Sequence, residues 1–535
     1  MSGVREDAVG VARPTVPPAT AATAMAALSL LVVSFARWGP DWPAQEFRAE
    51  LARSSAFLVW NDNWYAGHAL PGYSVLYPLL AHELGAAGTG VVATVLAAVV
   101  APRLLRVGVA PARRGLFEAA VVAMLTVALV IGQIPFLLGV AFGVSAVVAV
   151  RSVPGRLGWG LAAALSLACS LASPLAGALL LLVAAGLSAD RSWRRLTALI
   201  PAVGGVAVAV AVGGAGGPMP FPWISLVCVL AFCAVVWAVV PVQMVALRAF
   251  TVRFVPLYAV AAVACFVIPN PVGGNIARLS QVMALPAAAA VASRHTPRRL
   301  VGSLVVLGLA VAWTAQPAEG SVFGERPASG LASYYSGLMS YLATQPSTGR
   351  LEIPFTRGHW EVSYVAPDYP LARGWERQTD LADNAVLYDT LTSTRYARWL
   401  RDNAVSLVAL PDVPLDTGGL AEAAILKHPP AYLHLVWQDA HWKVWSVEGT
   451  PPLATGAGHL IHLGTQEFTL DVTRPGSTLV RIHASRLWKV VSGDACIEET
   501  RSGWLTVRVD RPQVVVAAAS LDALLPGTNV EECGD

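Results

Sequence analysis

Acidic side chains that could act in catalysis occur in a hydrophilic loop, residues 38–78, directly after the first apolar stretch of the sequence. Asp41 lies near the start of this loop, two residues before Pro43, and Glu46 follows five residues later. A carboxylate in a substrate site can take a proton from a hydroxyl group as a general base. Asp41 could equally cap a helix that begins near Pro43, and Glu46 could be an ordinary solvated charge. We name Asp41 first and Glu46 second as candidate catalytic residues.

The same loop contains the sequence WNDNWY from Trp60 to Tyr65, followed by a histidine. Loops much longer than a dozen residues usually carry function or are disordered, and this loop is too rich in aromatic residues for a disordered linker. Aromatic rings beside polar groups suit a polar substrate. We therefore predict that four residues of the loop bind substrate: Asp62, Trp64, Tyr65 and His68.

A second unusual loop, PNPVGGNIAR from Pro269 to Arg278, precedes the tenth apolar stretch. Its prolines and glycines predict a tight backbone with exposed amides. Backbone amides at a helix start, together with a guanidinium group, make a phosphate site, so we predict that Arg278 and Asn275 bind a donor phosphate. Two alternatives remain for Arg278: it extends to the membrane interface, or it pairs with Asp41 or Glu46.

The composition is that of a membrane protein that crosses the bilayer several times. Of 535 residues, 55% are hydrophobic and 13% are charged, about half the charged share of a soluble domain, and the mean hydropathy is +0.57. The net charge of +3 does not favour nucleic acid as a partner. The sequence has no Walker loop, zincin motif or nucleophile elbow.

Eleven apolar stretches of about the length that a bilayer requires predict about eleven transmembrane helices between residues 20 and 316. Arginines cluster in every second connection, which by the positive-inside rule places those connections and the disordered tail, residues 1–19, in the cytoplasm. The loop 38–78 and everything after residue 316 are then extracytoplasmic. A single kinked helix around Ser173-Pro174 is the alternative that would change this count. The stretches are 20–38, 88–105, 116–132, 136–150, 158–172, 175–189, 196–213, 223–241, 254–268, 279–293 and 300–316.

The remainder of the chain divides by pattern into two extracytoplasmic regions. Residues 317–448 alternate between strand and helix patterns, which predicts an α/β region, and residues 449–535 show short strands between turns, as in a β-sandwich. Cys496 and Cys533 lie in this polar part, where an oxidising compartment would allow them to form a disulfide.

The topology resembles that of the GT-C superfamily of membrane glycosyltransferases. The likeness consists of a cytoplasmic N-terminus, a long first external loop with an acidic residue after the first span, about eleven spans, an external arginine and an extracytoplasmic C-terminal domain. The loop before Arg278 and the segment LARGWERQ, residues 371–378, also look like stretches of actinobacterial membrane proteins. The resemblance implies an inverting transfer of a sugar from a polyprenyl-phosphate carrier. Asp41 or Glu46 would be the base, and Arg278 would stabilise the phosphate.

The resemblance implies a glycosyltransferase of the plasma membrane whose acceptor is an extracytoplasmic glycan, lipid or protein. A transporter or flippase for a lipid-linked glycan is the second hypothesis, and a non-catalytic assembly scaffold is the third. Many members of the superfamily have two adjacent or near-adjacent acids after the first span, whereas here Asp41 and Glu46 are five residues apart. The requirement for a divalent metal is therefore left open.

Overall fold

The computed structural model describes residues 18–36, 39–54, 58–70, 74–105, 114–187, 196–213, 217–240, 245–292, 300–316, 327–345 and 349–524. The chain divides into two compact units. The first comprises Met1–Gln45, Tyr73–Ala211 and Pro218–Glu325, and the second comprises Glu46–Gly72, Val212–Gly217 and Arg326–Asp535. Of the predicted N-terminal tail, residues 1–17 lie outside the described residues.

The first unit is helical, as its apolar composition predicts, because a helix satisfies all its backbone hydrogen bonds internally. Its described helices overlap all eleven predicted apolar stretches. They are α1 (Pro18–Phe35), α3 (Leu76–Leu105), α4 (Arg114–Ile131), α5 (Ile134–Ser152), α6 (Gly155–Ala172), α7 (Pro174–Leu187), α8 (Pro201–Gly213), α9 (Trp223–Val239), α10 (Val245–Val267), α11 (Arg278–Ala292) and α12 (Leu300–Ala315).

Four helices of the described residues are long and apolar enough to cross a membrane: Leu76–Leu104, Ile134–Ser152, Gly155–Ala172 and Leu247–Val267. The chain is therefore that of a membrane protein. The count of about eleven spans and the orientation of the termini stay predictions. Separate helices on either side of Ser173 are present, since α6 ends at Ala172 and α7 begins at Pro174.

Helix α2 (Trp42–Ser54) lies within the predicted loop 38–78 and begins directly after Asp41. Its first four residues belong to the first unit, and its residues from Glu46 onward belong to the second. A helix near Pro43 is thus present, and it is followed by a two-stranded hairpin, β1 (Trp60–Asn61) and β2 (His68–Ala69).

The second unit contains a mixed four-stranded sheet with short helices. The strands are ordered β3-β4-β6-β5, with β3 and β4 parallel and the other pairs antiparallel. The strands are β3 (Arg350–Glu352), β4 (Val405–Pro411), β5 (Leu433–Gln438) and β6 (Trp442–Val447), and the helices are α13 (Ala332–Leu342), α14 (Glu361–Tyr364), α15 (Arg377–Asp383), α16 (Ser393–Asp402) and α17 (Leu420–Leu426).

Two antiparallel four-stranded sheets follow, ordered β12-β13-β10-β7 and β11-β14-β9-β8. Alternate residues of both sheets share one hydrophobic core, as in a β-sandwich. Val59 and Trp60 of the N-terminal loop belong to the same core, and the Trp60 ring contacts the Trp488 ring edge to face at 5.5 Å. The strands are β7 (Ala454–Gly456), β8 (Gly458–Leu463), β9 (Glu467–Val472), β10 (Gly476–His483), β11 (Trp488–Ser492), β12 (Ala495–Glu499), β13 (Trp504–Val509) and β14 (Gln513–Ala519).

The cysteines of the described residues differ in oxidation state. Cys496 on β12 is disulfide-bonded. Its predicted partner, Cys533, lies outside the described residues, so the pairing stays a prediction. The four cysteines in the apolar stretches, Cys169, Cys228, Cys233 and Cys265, are free thiols.

Candidate functional site

The structure brings Asp41 and Arg278 together. Oδ2 of Asp41 lies 3.7 Å from Nη2 of Arg278, although the two residues come from opposite ends of the first unit's sequence. Both side chains are partly exposed, at 29% for Asp41 and 24% for Arg278. A carboxylate and a guanidinium that remain accessible to solvent can still meet a substrate, which a fully buried ion pair could not.

Asp41 is held by the end of α4. Its backbone N–H donates to the carbonyl of Ile131 at 3.1 Å, and the indole Nε1 of Trp42 donates to the carbonyl of Leu129 at 3.0 Å. Gly132 follows with a φ of +90°, and a Cβ on it would lie 2.6 Å from the Trp42 nitrogen. Only glycine allows both this conformation and this close approach, so the turn after α4 fixes the start of α2.

Arg278 is the first residue of α11, directly after a short 3-10 helix, Gly273–Ala277. Its backbone N–H donates to the carbonyls of Asn275 and Ile276. Its guanidinium carbon lies 5.6 Å from the centre of the Phe136 ring on α5, within the range of a cation–π interaction. Phe136 is buried and therefore forms a fixed floor beneath the cation. No sequence pattern separated Phe136 from the other apolar residues of its helix.

The backbone amides of the loop before Arg278 are not exposed, and that part of the sequence prediction is wrong. The amides of Val272 and Gly273 donate to Oδ1 of Asn270 at 2.9 and 2.8 Å. The Gly274 amide donates to the carbonyl of Pro220, and that of Asn275 to Val272. These four amides thus have partners within the protein. Of Asn275, only the half-buried side chain is therefore left to bind phosphate. The guanidinium of Arg278 is then the principal phosphate-binding group.

Glu46 lies in the first turns of α2 and is half-buried. Its role as an alternative base stays a prediction. Among the residues that the structure describes, no three His, Cys, Asp or Glu side chains are grouped so that they could hold a metal ion.

Three of the four predicted substrate-binding residues of the loop are buried in the second unit. The Trp64 ring stacks on Phe47 of α2 at 4.2 Å. The Tyr65 hydroxyl accepts the backbone N–H of Glu376 at 2.7 Å and donates to the carbonyl of Gly374. Oδ1 of Asp62 accepts the indole N–H of Trp60 at 2.6 Å. In this arrangement the three side chains serve the packing of the unit, and their substrate role stays a prediction.

His68 also faces the interior. Its ring lies parallel to Trp64 with the centres 6.0 Å apart, and neither ring nitrogen has a hydrogen-bond partner among the described residues. Burial and the nearby Arg48 lower its pKa to about 3, because both disfavour the protonated ring. His68 is therefore neutral near pH 7. Burial raises the pKa of Asp62 well above its usual range, because it disfavours the charged carboxylate.

The segment 371–378, which the sequence singled out, is held by buried charges that the sequence did not reveal. Arg373 is buried and forms a two-pronged ion pair with Asp380, with contacts of 3.0 and 2.6 Å. Glu376 pairs with Arg48 of α2. The Trp375 ring stacks face to face on His359 at 3.4 Å. Some of these interacting residues lie hundreds of positions apart in the sequence, so no local sequence pattern predicts their contacts.

A comparison with protein-family models gives no match, and a search of curated proteins gives none. Solved structures of similar fold include the following two. One is a single-particle cryo-EM structure of arabinofuranosyltransferase AftD from mycobacteria, at 16% identity and a TM-score of 0.45, covering 94% of this chain and 40% of that one. The other is a mutant of AftD, at 15% identity and a TM-score of 0.44, covering 94% and 41%. The chain spans about two fifths of the length of these proteins, and a likeness this distant assigns no activity.

Proposed function

We propose that the protein is a membrane glycosyltransferase that moves a sugar from a polyprenyl-phosphate donor to an extracytoplasmic glycan, lipid or protein. The observation that carries the proposal is the accessible pair of Asp41 and Arg278. One group can accept a proton and the other can hold a phosphate, and they lie within the span of one sugar phosphate.

In the proposed reaction the acceptor hydroxyl attacks the anomeric carbon of the donor sugar. Its proton passes to a carboxylate oxygen of Asp41, and the bond from the anomeric carbon to the phosphate oxygen breaks with inversion. The lipid phosphate leaves with its electron pair, and Arg278 stabilises the growing negative charge. At 3.7 Å the ion pair is longer than a hydrogen bond, and exposed pairs of this kind are weak, so donor phosphate can displace Asp41 from the guanidinium.

A transporter or flippase remains the second candidate, and a scaffold the third. In the described part of the first unit, the buried polar side chains apart from tyrosine and cysteine are hydroxyl groups and amides, and no Asp, Glu, Lys, Arg or His side chain is buried. Ion-coupled transporters use buried ionisable groups within their spans. This observation favours the enzyme over an ion-coupled transporter.

The test is a transfer assay in membranes that contain the protein, with a panel of polyprenyl-phosphate sugars as donors. Asp41→Asn keeps the shape of the side chain and removes its basicity, so it should lower the rate by about 10² to 10⁴. It should leave binding of polyprenyl monophosphate largely intact, whereas Arg278→Ala should weaken that binding.

Glu50→Gln is the matched control, because Glu50 is an exposed carboxylate on α2 that pairs with Arg53. It should transfer sugar at the wild-type rate. A fully active Asp41→Asn protein would move the base to Glu46, and a wild-type protein that neither transfers sugar nor binds polyprenyl monophosphate would exclude the proposed function.

A further inference from the structure

The start of α11, which carries Arg278, is held by a hydroxyl group from another helix. The Tyr258 hydroxyl on α10 donates to the carbonyl of Ile276 at 2.9 Å and accepts the backbone N–H of Ser280 at 3.1 Å. The first N–H groups of a helix have no partner within the helix, and a side-chain oxygen that accepts one of them acts as a cap. Tyr258 thus supplies the cap of α11 from outside and joins the residues on both sides of Arg278.

The position of the Tyr258 ring is itself fixed. Phe250, Phe254 and Tyr258 are spaced four residues apart and stack along one face of α10, with ring centres 5.0 and 5.7 Å apart. Tyr258 is fully buried. The position of its hydroxyl is therefore fixed. The hydrogen bonds of this hydroxyl in turn fix the backbone on both sides of Arg278.

Helix α12 holds the same turn from a second direction. Trp313 donates its indole N–H to Oγ of Ser280 at 3.1 Å, and Ser280 donates to the carbonyl of Ala277 at 2.8 Å. Thr314 donates to the carbonyl of Gln281 at 2.9 Å. Four hydrogen bonds from α10 and α12 thus converge on residues 276 to 281.

We propose that Tyr258 is a positioning residue for the phosphate-binding guanidinium of Arg278, an inference that rests on the proposed function. The amides of the preceding loop are occupied, so phosphate recognition depends on side chains, and chiefly on the flexible side chain of Arg278. The position of the Arg278 backbone decides whether its guanidinium lies over Phe136 and beside Asp41. Tyr258 touches neither substrate nor guanidinium, and it acts by fixing that backbone.

The experiment measures binding of polyprenyl monophosphate, without sugar, to the full-length protein in lipid nanodiscs. Tyr258→Phe keeps the ring stack and removes the hydroxyl, and it should raise the dissociation constant about 3- to 10-fold, the size expected for one or two hydrogen bonds. Trp313→Phe, the second variant, should act in the same direction and less strongly. Ser170→Ala is the control, since it also removes a buried hydroxyl that bonds a carbonyl of another segment, Ala202 at 2.8 Å, but leaves α11 untouched.

A double-mutant cycle separates positioning from general destabilisation. In the Arg278→Ala background, Tyr258→Phe should cause no further loss, because there is no guanidinium left to position. Equal losses in both backgrounds, or a Tyr258→Phe protein with wild-type affinity beside a weakened Arg278→Ala protein, would overturn the inference and leave the proposed function standing. Wild-type protein that does not bind the lipid phosphate would instead refute the proposed function.

Discussion

At the scale of single residues, the geometry around Arg278 favours a guanidinium group over an ammonium group of the same charge. The side chain lies over the Phe136 ring at 5.6 Å and reaches Asp41 at 3.7 Å. A planar guanidinium stacks on an aromatic face and offers paired N–H donors to a phosphate, whereas an ammonium group is a compact point charge.

Arg278→Lys is therefore expected to bind polyprenyl monophosphate about 10-fold more weakly than wild type, a loss smaller than that of Arg278→Ala. Equilibrium binding in nanodiscs would measure it. The matched control is Arg248→Lys, because Arg248 also lies over an aromatic ring, Trp237 at 4.8 Å, in another part of the unit. Full affinity in Arg278→Lys would mean that charge alone suffices.

The sequence was informative about residues of unusual type at unusual positions. Asp41 and Arg278 could be named because each is a charged residue beside an apolar stretch. Phe136 and Tyr258 could not, because an aromatic residue within an apolar helix has the same sequence signature whether it fills space or supports a site. For Asp62 and Trp64 the sequence shows a polar and an aromatic side chain but not that both are buried, and their substrate role stays a prediction.

At the scale of elements, the turn between β1 and β2 has an unusual backbone conformation. Tyr65 and Ala66 have φ values of +57° and +59°, and Gly67 has +102°. Residues other than glycine rarely adopt such angles, and they persist only where surrounding contacts impose them. Here the carbonyl of Ala66 accepts the backbone N–H of His483, and the Tyr65 hydroxyl bonds residues 374 and 376.

Gly67→Ala should destabilise the second unit by about 2 kcal/mol or more, because it adds a clash to an unfavourable φ. A Cβ at Gly67 would lie 2.7 Å from the Trp60 ring. Gly503→Ala is the control, since Gly503 has a φ of +79° and no atom within 4 Å of its Cβ position. Denaturation of the full-length protein followed by tryptophan fluorescence would compare them; equal losses would show that the clash contributes nothing.

The helices of the first unit were the most predictable elements, because a long apolar stretch has few alternatives to a buried helix. The hairpin of β1 and β2 was not predicted. Its strands are two residues long, and its hydrogen bonds to Thr465 and His483 depend on residues some 400 positions away. The sequence around the hairpin therefore does not predict these contacts.

At the scale of the whole molecule, burial of neutral histidines makes the protein sensitive to acid. Burial is the largest cause that lowers the pKa of His68 to about 3, and those of His359 and His483 to about 4. The unfolded chain, with pKa values near 6.5, then binds more protons, so stability should fall as the pH drops from about 6.5 to about 4. Buried carboxyl groups act oppositely: burial raises the pKa of Glu361 to about 7 and that of Asp383 to about 6, and their contributions are lost as the pH rises towards these values.

On going from pH 7 to pH 5, the Tm of the full-length His483→Gln protein in detergent should fall less, or rise more, than that of wild type, because glutamine does not titrate and the unfolded chain then gains no proton at this position. His434→Gln is the control, because His434 is exposed. An equal acid shift in wild type and His483→Gln would rule out this histidine as a source.

The predicted orientation can be tested with single cysteines at exposed positions. Cysteine at Ser502, in the turn before β13, should react with an impermeant reagent from outside, and cysteine at Arg156, at the start of α6, only from the cytoplasm. Both positions are exposed. Labelling of position 502 only from the cytoplasm would contradict the prediction that the second unit is extracytoplasmic.

The place of Val59 and Trp60 in the β-sandwich core has a consequence for the order of events during synthesis. The backbone N–H of Val59 bonds the side chain of Gln466, 407 residues later. At about 5–20 residues per second, a ribosome needs roughly 20–80 s to make the intervening chain. During this interval the strands that contact Trp60 have not yet been made. The loop therefore stays accessible to chaperones and proteases until the last strands of the sandwich are synthesised.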